Sequence, residues 1–362
     1  KGCIAQPCIN NCPKKAISRT AEGKAYIDPE GCVNCGICKD LCPYHSIIYM
    51  PVPCEESCPV GAISKDENGI EKIDEEKCIL CGKCVNACPF GSILETSELL
   101  DIMYYLKHKI PITAVVAPSI FGQFKADPGS MIEALYQLGF THVAEAAEGA
   151  METTRLESEE LIHKIGQGQE FMTTSCCPSW VLAANKHIPD IVPFVSGSSS
   201  PMAISAKKCK EQFPGDPVVF IGPCIAKRKE GRENPDVAWV MTFEELACLL
   251  NAWNIPVVEC DNIPLSESID ENSRKYCLSG GVAAAVQSQS KDPIEVQAVN
   301  GLDKKQLRML SNYARTKKAE GQLIEVMACE GGCIAGPCSH EFPKDAKRFF
   351  AQNSEKFCTC AH

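Results

Sequence analysis

The hydrophobic pattern of residues 98–362 alternates between short apolar runs and longer stretches that carry apolar side chains on one helical face. Short apolar runs that end at a turn are typical of buried strands, and apolar residues repeated every three or four positions are typical of helices. Strands are predicted at residues 112–116, 170–174, 218–221, 237–242 and 323–328, and helices at residues 97–106, 131–138, 156–165, 243–253 and 303–321, with a further helix opened by Gly280 and Gly281. This repeated order of strand and helix predicts an α/β domain with a largely parallel sheet.

Three cysteine-containing loops each follow a predicted strand of this domain, at residues 170–174, 218–221 and 323–328. The carboxyl ends of parallel strands border one crevice, so we expect the three loops to meet. The first loop carries adjacent cysteines, whose side chains point to opposite sides, so that one can bind metal while Cys176 stays a free thiol. Four cysteines are thereby predicted to hold one [4Fe–4S] cubane: Cys177, Cys224, Cys329 and Cys333.

The residues before position 97 contain an internal duplication. Six cysteines recur 46 positions later, as Cys12 and Cys58 do, and each copy contains the C-x2-C-x2-C-x3-C-P run of bacterial ferredoxins. A zinc ribbon would need two separated CxxC pairs instead. The sequence therefore predicts a duplicated ferredoxin-like α+β domain at residues 1–97, followed by the α/β domain at residues 98–362.

Two pairings of the ferredoxin-like cysteines satisfy the rule that the fourth ligand of a run reaches a neighbouring cluster. The first pairing stays within a copy and forms one cluster from Cys12, Cys32, Cys35 and Cys38 and another from Cys58, Cys78, Cys81 and Cys84. A third cluster would then use Cys3, Cys8, Cys42 and a ligand expected immediately before Lys1, with Cys54 and Cys88 left over. The alternative joins Cys42 to Cys78, Cys81 and Cys84, and Cys88 to Cys32, Cys35 and Cys38. Spacing alone leaves both open.

Composition and charge exclude several functional classes. The chain has 25 cysteines among 362 residues, but disulfide scaffolds belong to small secreted domains, and no apolar signal segment opens the sequence. No apolar run approaches the roughly 18 residues of a membrane span. A net charge of −10 argues against nucleic acid as a partner. We therefore expect a soluble protein in a reducing, cytoplasmic setting.

The three cysteine loops resemble the signature loops of the [FeFe] hydrogenases. The residues that carry the resemblance are Thr174-Ser-Cys-Cys-Pro-Ser-Trp180, Gly222-Pro-Cys-Ile-Ala-Lys227 and Cys329-Glu-Gly-Gly-Cys333, and the likeness extends from about residue 98 onward. A ferredoxin-like front end is a usual companion of that catalytic domain. The resemblance implies an H-cluster, in which a cubane is joined to a diiron unit with carbonyl, cyanide and bridging dithiolate ligands. It also implies about three accessory [4Fe–4S] clusters.

The resemblance also implies roles for individual residues around the H-cluster. Cys333 would bridge the cubane and the diiron unit, Lys227 would hold a cyanide ligand, and Cys176 would pass protons to the diiron bridgehead. Glu157, Ser196 and Glu160 resemble the family's proton route. Residues expected to line the cofactor are Ala117, Pro118, Ser200, Met327 and Gly281. Implied partners are a ferredoxin or similar low-potential donor, hydrogenase maturation proteins, protons and dihydrogen.

Several positions depart from the best-known branch of the family. They are Gly222, Met202, Lys164 and the tract Gly336-Pro-Cys-Ser-His340. The Gly-Pro-Cys part of this tract and the duplicated front end resemble the group B branch. Cys338, Cys358 and Cys360 receive no role. Four other cysteines are expected to pack as small apolar residues: Cys209, Cys248, Cys260 and Cys277.

Two other functions remain open beside proton reduction. A non-catalytic iron–sulfur protein of the same superfamily would keep the cubane and lack the diiron unit, although such proteins usually lack the first of the paired cysteines, here Cys176. A hydrogen-sensing relative would typically alter that thiol and carry a sensory domain.

Overall fold

The structure is a computed structural model that describes residues 2–49, 51–290 and 293–357. It divides into two compact units, Lys1–Glu56 and Ser57–His362. Cys358 and Cys360, which received no role, lie outside the described residues. Among the described residues, no helix is both long enough and apolar enough to cross a membrane.

The smaller unit contains the first ferredoxin-like copy. Its elements are α1 (Pro7–Asn10), β1 (Ile17–Arg19), β2 (Ala25–Ile27), α2 (Ile37–Asp40) and the start of α3 (Pro53–Ser57). Strands β1 and β2 are antiparallel, with Ile17 opposite Ile27. The second copy repeats this hairpin 46 positions later, with Ile63 opposite Ile73.

The larger unit contains the second copy and the α/β fold. Its strands are β3 (Ile63–Lys65), β4 (Glu71–Ile73), β5 (Thr113–Val116), β6 (His142–Glu145), β7 (Met172–Thr173), β8 (Val218–Ile221), β9 (Trp239–Met241), β10 (Val296–Asn300) and β11 (Leu323–Met327). Its helices are α4 (Lys83–Ala87), α5 (Leu99–His108), α6 (Pro128–Leu138), α7 (Ala146–Gly166), α8 (Pro178–His187), α9 (Pro201–Gln212), α10 (Ala226–Glu233), α11 (Phe243–Ala252), α12 (Glu271–Arg274), α13 (Gly281–Gln289), α14 (Lys304–Thr316) and α15 (Pro343–Ser354).

Two parallel sheets organise the α/β part, which confirms the predicted fold class. One sheet has the order β6-β5-β8-β9, and the other has the order β10-β11-β7. Strand β7 comprises only two residues, which is shorter than the predicted residues 170–174, and it pairs Met172 with Leu323. The first and third cysteine loops therefore leave neighbouring strands of one sheet, and the second loop leaves β8 in the other.

Helix α7 begins ten residues before the predicted start at residue 156. Its first half contains small and polar residues without a helical apolar pattern, so periodicity did not reveal it. Contacts with the segment around α9 stabilise it, because Gly149 N donates to Ser205 Oγ over 3.0 Å and Thr153 Oγ1 donates to Ser199 O over 3.1 Å. Tertiary contacts thus extend the helix beyond what local preference indicates.

The second ferredoxin-like copy is anchored in the core of the larger unit. Ile79 is 1% exposed and belongs to the apolar cluster around Trp180 and Phe171. Lys186 Nζ also donates to the carbonyl of Cys78 over 2.8 Å. Residues 57–97 therefore pack as part of the larger unit, and the functional boundary near residue 97 stays a prediction.

Candidate metal centre

The first cysteine loop is held by strand β11 and by the start of helix α8. Thr174 N donates to Ile324 O over 3.0 Å, and Thr174 Oγ1 accepts from Val326 N over 3.2 Å. Cys177 then occupies the N-cap of α8, where Pro178 fits the first turn because it has no N–H to leave unpaired. The backbone therefore fixes both cysteines at a strand-to-helix turn.

The third loop turns on a glycine with a left-handed backbone. Gly332 has φ 91°, and a Cβ built there would lie 2.4 Å from Cys277 O. A side chain at this position would meet both backbone strain and a collision, so glycine is required. The turn brings Cys333 back towards Cys329.

The four predicted cubane ligands lie close together in a buried site. Burial raises the pKa of Cys224 to about 12, with the charge of Cys177 as the next cause, and burial followed by Cys224 and Cys177 raises the pKa of Cys333 to about 12. The pKa of Cys329 is raised well above its ordinary range by burial and then by Cys224, Cys333 and Cys177. Thiolates that repel one another in a dry site need bound cations, so this donor set fits an iron–sulfur cluster.

A single metal ion does not fit the described residues. Within residues 2–49, 51–290 and 293–357, no three His, Cys, Asp or Glu side chains are placed to hold one ion together. In a cubane each cysteine binds a different iron, so its ligands stand farther apart than the ligands of one ion. Four cysteine thiols are the donor set of a [4Fe–4S] cluster.

A cavity of about 80 Å³ lies beside these cysteines. Its lining includes Cys176, Lys227, Tyr276, Met327 and Cys333, and Cys333 is also a predicted cubane ligand. The remaining lining residues are Ala117, Pro118, Ser119, Ala146, Ala150, Pro201, Met202, Phe220 and Cys277. The cavity therefore adjoins one of the predicted cubane ligands, Cys333.

Two of the five predicted cofactor-lining residues do not line this cavity. Ser200 hydrogen-bonds Glu230, and Gly281 begins helix α13. A Cβ at Gly281 would lie 2.1 Å from Lys275 O, so close packing of the backbone explains this glycine. Ala117, Pro118 and Met327 do line the cavity.

Two polar residues of the site were missed by sequence reasoning. Ser119 Oγ is buried and has no hydrogen-bond partner among the described residues, and Ser119 lines the cavity. An unpaired buried hydroxyl is costly, so a bound group that accepts its proton would satisfy it. Sequence reasoning could have found Ser119 because it directly follows Pro118, a residue expected to line the cofactor.

Glu230 is the second missed residue, and it fixes Lys227. Lys227 Nζ lies 2.7 Å from Glu230 Oε2, and Ser200 Oγ donates to the other carboxylate oxygen. Burial works against the charge of Lys227, but Glu230 raises the pKa of the ammonium above its ordinary value. Lys227 therefore presents a charged ammonium of fixed orientation at the cavity. The spacing of three residues between Lys227 and Glu230 on α10 could have indicated this pairing from the sequence.

The predicted proton route is assembled from helix α7 and the first loop. Glu157 is 0% exposed, and its Oε1 accepts from Ser175 N over 3.1 Å, while its Oε2 has no partner among the described residues. Burial raises the pKa of Glu157 to about 7. Burial and the charge of Glu157 also raise the pKa of Cys176 well above its ordinary range, so Cys176 stays a protonated thiol.

The outer part of the route is polar and charged. Ser196 Oγ donates to Glu160 Oε2 over 2.7 Å, and Lys164 Nζ lies 2.8 Å from Glu160 Oε1. Partial burial opposes ionisation of Glu160, but Lys164 and Ser196 hold its pKa below the ordinary value. Glu157 and Glu160 therefore differ in proton affinity across one helical turn, with Ser196 close to both.

The accessory cysteines group within each copy. Cys12, Cys32, Cys35 and Cys38 line one cavity of the smaller unit. In the larger unit, burial and then Cys81, Cys78 and Cys58 raise the pKa of Cys84 to about 11. Both groupings support the within-copy pairing, and the charge of Cys81 also reaches the cubane ligand Cys329.

The cysteine that precedes proline in each motif accepts a backbone hydrogen bond. The bonds to sulfur come from Ala16 to Cys12, Ser46 to Cys42, Ala62 to Cys58 and Ser92 to Cys88, with distances of 3.2–3.4 Å. Such bonds stabilise thiolate ligands. The ligand roles of Cys3, Cys8 and Cys54 stay predictions.

One prediction about the remaining cysteines is wrong. Cys248 is exposed, because the buried face of α11 consists of Phe243, Leu246, Leu249 and Leu250 and Cys248 lies on the other side. Cys209, Cys260 and Cys277 are buried as expected. Cys338 is also buried, and its N–H donates to Pro223 O in the second loop over 3.1 Å.

Comparisons with known proteins match both parts of the chain. Residues 110–337 match the model for the iron only hydrogenase large subunit, C-terminal domain, and residues 25–48 and 71–94 match the 4Fe-4S binding domain. Iron hydrogenase 1 of Clostridium pasteurianum is 28% identical over 61% of this chain and 47% of its own length. The periplasmic [Fe] hydrogenase large subunit of Nitratidesulfovibrio vulgaris is 26% identical over 58% of this chain and 61% of its own length.

Other relatives are named for a different function. A probable cytosolic Fe-S cluster assembly factor of Drosophila persimilis is 26% identical over 49% of this chain and 49% of its own length. Among solved structures, an [FeFe]-hydrogenase from Chlamydomonas reinhardtii has a TM-score of 0.59 at 18% identity, covering 70% of this chain and 88% of that chain. The chain spans about half the length of the curated relatives it matches. The family model covers more than half of the chain, and the chain therefore belongs to the iron-only, or [FeFe], hydrogenase family.

Proposed function

We propose that this chain is a hydrogenase that interconverts protons and dihydrogen at an H-cluster. The observation that carries the proposal is the protonated Cys176 thiol, which lines one cavity together with Lys227 and the predicted cubane ligand Cys333. When bound, the diiron unit supplies the metal site at which two protons and two electrons combine. The protein's part is to hold that unit, deliver protons and deliver electrons.

The residues around the cavity divide these tasks. Cys177, Cys224, Cys329 and Cys333 would hold the cubane, and Lys227, kept charged by Glu230, would anchor an anionic ligand of the diiron unit. The apolar walls exclude water, which strengthens that electrostatic contact. Ser119 Oγ offers one further hydrogen bond to the same group.

Protons would pass between solvent and the cavity along Glu160, Ser196, Glu157 and Cys176. A relay group works best when its pKa lies near the working pH, and the raised pKa of Glu157 meets this requirement. Ser175 joins the route because its N–H and hydroxyl both face Glu157 Oε1, and it directly precedes Cys176. Each proton taken from Cys176 would be replaced from Glu157.

Electrons would reach the cubane through the ferredoxin-like copies. The cluster at Cys58, Cys78, Cys81 and Cys84 would be the last carrier, since Cys81 lies near Cys329. We propose about three accessory [4Fe–4S] clusters, a domain boundary near residue 97, a ferredoxin-type donor, dependence on hydrogenase maturation proteins and a cytoplasmic location.

Infrared spectroscopy of protein produced together with maturation proteins tests this function. We expect bands of bound carbonyl and cyanide and dihydrogen evolution from a low-potential donor. Protein reconstituted with iron and sulfide alone should be inactive, because cysteines cannot supply carbonyl or cyanide. Activity in that sample would contradict the diiron unit.

The second candidate is a non-catalytic iron–sulfur protein, favoured by the matched cluster assembly factor. It predicts a complete cubane without carbonyl or cyanide bands, even after coproduction with maturation proteins. The same infrared measurement therefore separates the two functions.

A further inference from the structure

A basic groove borders the turn that follows Cys58. We define it by the segment Pro59, Val60 and Gly61 on one side and the exposed face of helix α14 on the other, where Lys304, Arg308 and Arg315 stand. Val60, Ile188 and Leu307 are apolar lining residues, and His187 also lines the groove. No acidic side chain lines the groove.

The three cations of the groove are unpaired. Lys304, Arg308 and Arg315 lie four and seven residues apart, so they share one helical face. In the described ranges none of them forms an ion pair, and Arg315 only donates to Asn312 over 2.9 Å. This contrasts with a chain whose net charge is −10, and unpaired like charges on one face favour an anionic partner.

The groove is also close to a redox site. Pro59, which directly follows the cluster ligand Cys58, is a lining residue, and Ala62 N binds the Cys58 sulfur over 3.2 Å. Only the short turn at residues 59–61 would separate a protein bound in this groove from the cluster that Cys58, Cys78, Cys81 and Cys84 would hold. Cys81 and the predicted cubane ligand Cys177 pack against the same apolar cluster.

We propose that the basic groove is the docking surface of an acidic electron-transfer protein of the ferredoxin type. In the docked pair one electron would pass from the reduced partner, which is thereby oxidised, to the cluster that Cys58, Cys78, Cys81 and Cys84 would hold, and no proton would move. The inference rests on the electron-carrying role proposed above and adds the surface and the entry cluster.

Charge reversal in the groove tests this surface on the full-length, cluster-loaded chain. The variant is Lys304→Glu with Arg308→Glu, and the matched control is Lys305→Glu with Lys318→Glu, which makes the same change in net charge at exposed lysines outside the groove. The probe is a purified acidic two-cluster ferredoxin in its oxidised form, and its dissociation constant is measured by calorimetry at about 50 mM and about 500 mM salt.

We expect the groove variant to bind the ferredoxin about tenfold more weakly or worse at low salt, and the difference to shrink at high salt. The control should stay within about twofold of the parent chain, since long-range charge alone acts weakly across a screened solvent. Stopped-flow reduction by reduced ferredoxin should slow in parallel, while reduction by a small viologen donor stays unchanged.

Equal binding by the two variants overturns the proposal. So does a groove-dependent dimer of this chain in sedimentation, or an oligonucleotide that binds the groove more tightly than the ferredoxin. Binding and cluster reduction can both be measured in a protein that evolves no dihydrogen. Failure of the hydrogenase function is therefore distinguishable from failure of the docking surface.

Discussion

Replacing Glu157 by glutamine removes the proton relay at its most buried point. Glutamine has nearly the same shape, and its side-chain oxygen can still accept from Ser175 N, which now lies 3.1 Å from Glu157 Oε1. It cannot take up and release a proton near neutral pH. We therefore expect dihydrogen turnover to fall by roughly a hundred- to ten-thousand-fold, the usual loss for a general acid–base group.

The same substitution should change how stability depends on pH. Burial raises the pKa of Glu157 from 4.5 to about 7, so the folded chain holds this proton more tightly than the unfolded chain does. Stability is greatest below the unfolded pKa and falls as pH rises through the window from about 4.5 to about 7. A shift of this size corresponds to roughly 3 kcal/mol of unfolding free energy.

Thermal unfolding at pH 5 and pH 8 measures that difference under anaerobic conditions. The Glu157→Gln variant should lose less stability than the parent chain between the two pH values. Glu159→Gln on the same helix is the control, because the Glu159 side chain is 64% exposed and pairs with Arg155 at the surface. The control should follow the parent in both turnover and pH dependence.

Two results would refute the reasoning about Glu157. Normal turnover in Glu157→Gln, with unchanged infrared bands, would mean that protons reach Cys176 by another route. An unchanged pH dependence of stability would mean that Glu157 is ionised in the folded chain, contrary to its burial.

Four further substitutions test the rest of the site. Cys176→Ala should keep the infrared bands and lose most turnover, roughly a hundredfold or more, whereas Cys177→Ala should lose the cubane iron when iron content is assayed. Glu230→Gln should lower the pKa of Lys227, because burial is then unopposed, and should shift the cyanide infrared bands, while the exposed control Glu233→Gln should not. Cys84→Ala removes one ligand of the carrier proposed at Cys58, so it should keep the infrared bands but accept electrons poorly from ferredoxin; full ferredoxin turnover in that variant would contradict the electron route.

The sequence predicted the loops of the site better than their surroundings. Cys177, Cys224 and Cys329 each follow an apolar run, and the end of a buried strand can be located from hydrophobicity alone. The pairing of Glu230 with Lys227 and the unpaired Ser119 Oγ depend on how separate elements meet. Hydrophobic periodicity contains no information on such contacts.

The missed element boundaries have the same physical origin. Residues 146–155 at the start of α7 contain too few large apolar residues to show a helical period. The hydrogen bond between Gly149 and Ser205 stabilises this part of the helix instead. Cys248 shows the reverse error, because composition predicted burial and the helical phase of α11 placed it outside. Residue type predicts burial on average, and geometry decides the individual case.

The burial of Ile79 in the core around Trp180 has a consequence for how such proteins can be rebuilt. The second ferredoxin-like copy contributes a core side chain as well as predicted cluster ligands, so it cannot be exchanged as a separate module without opening that core. The first copy belongs to the other compact unit, Lys1–Glu56. Fusion to new electron sources is therefore open at residues 1–56 and closed at residues 57–97.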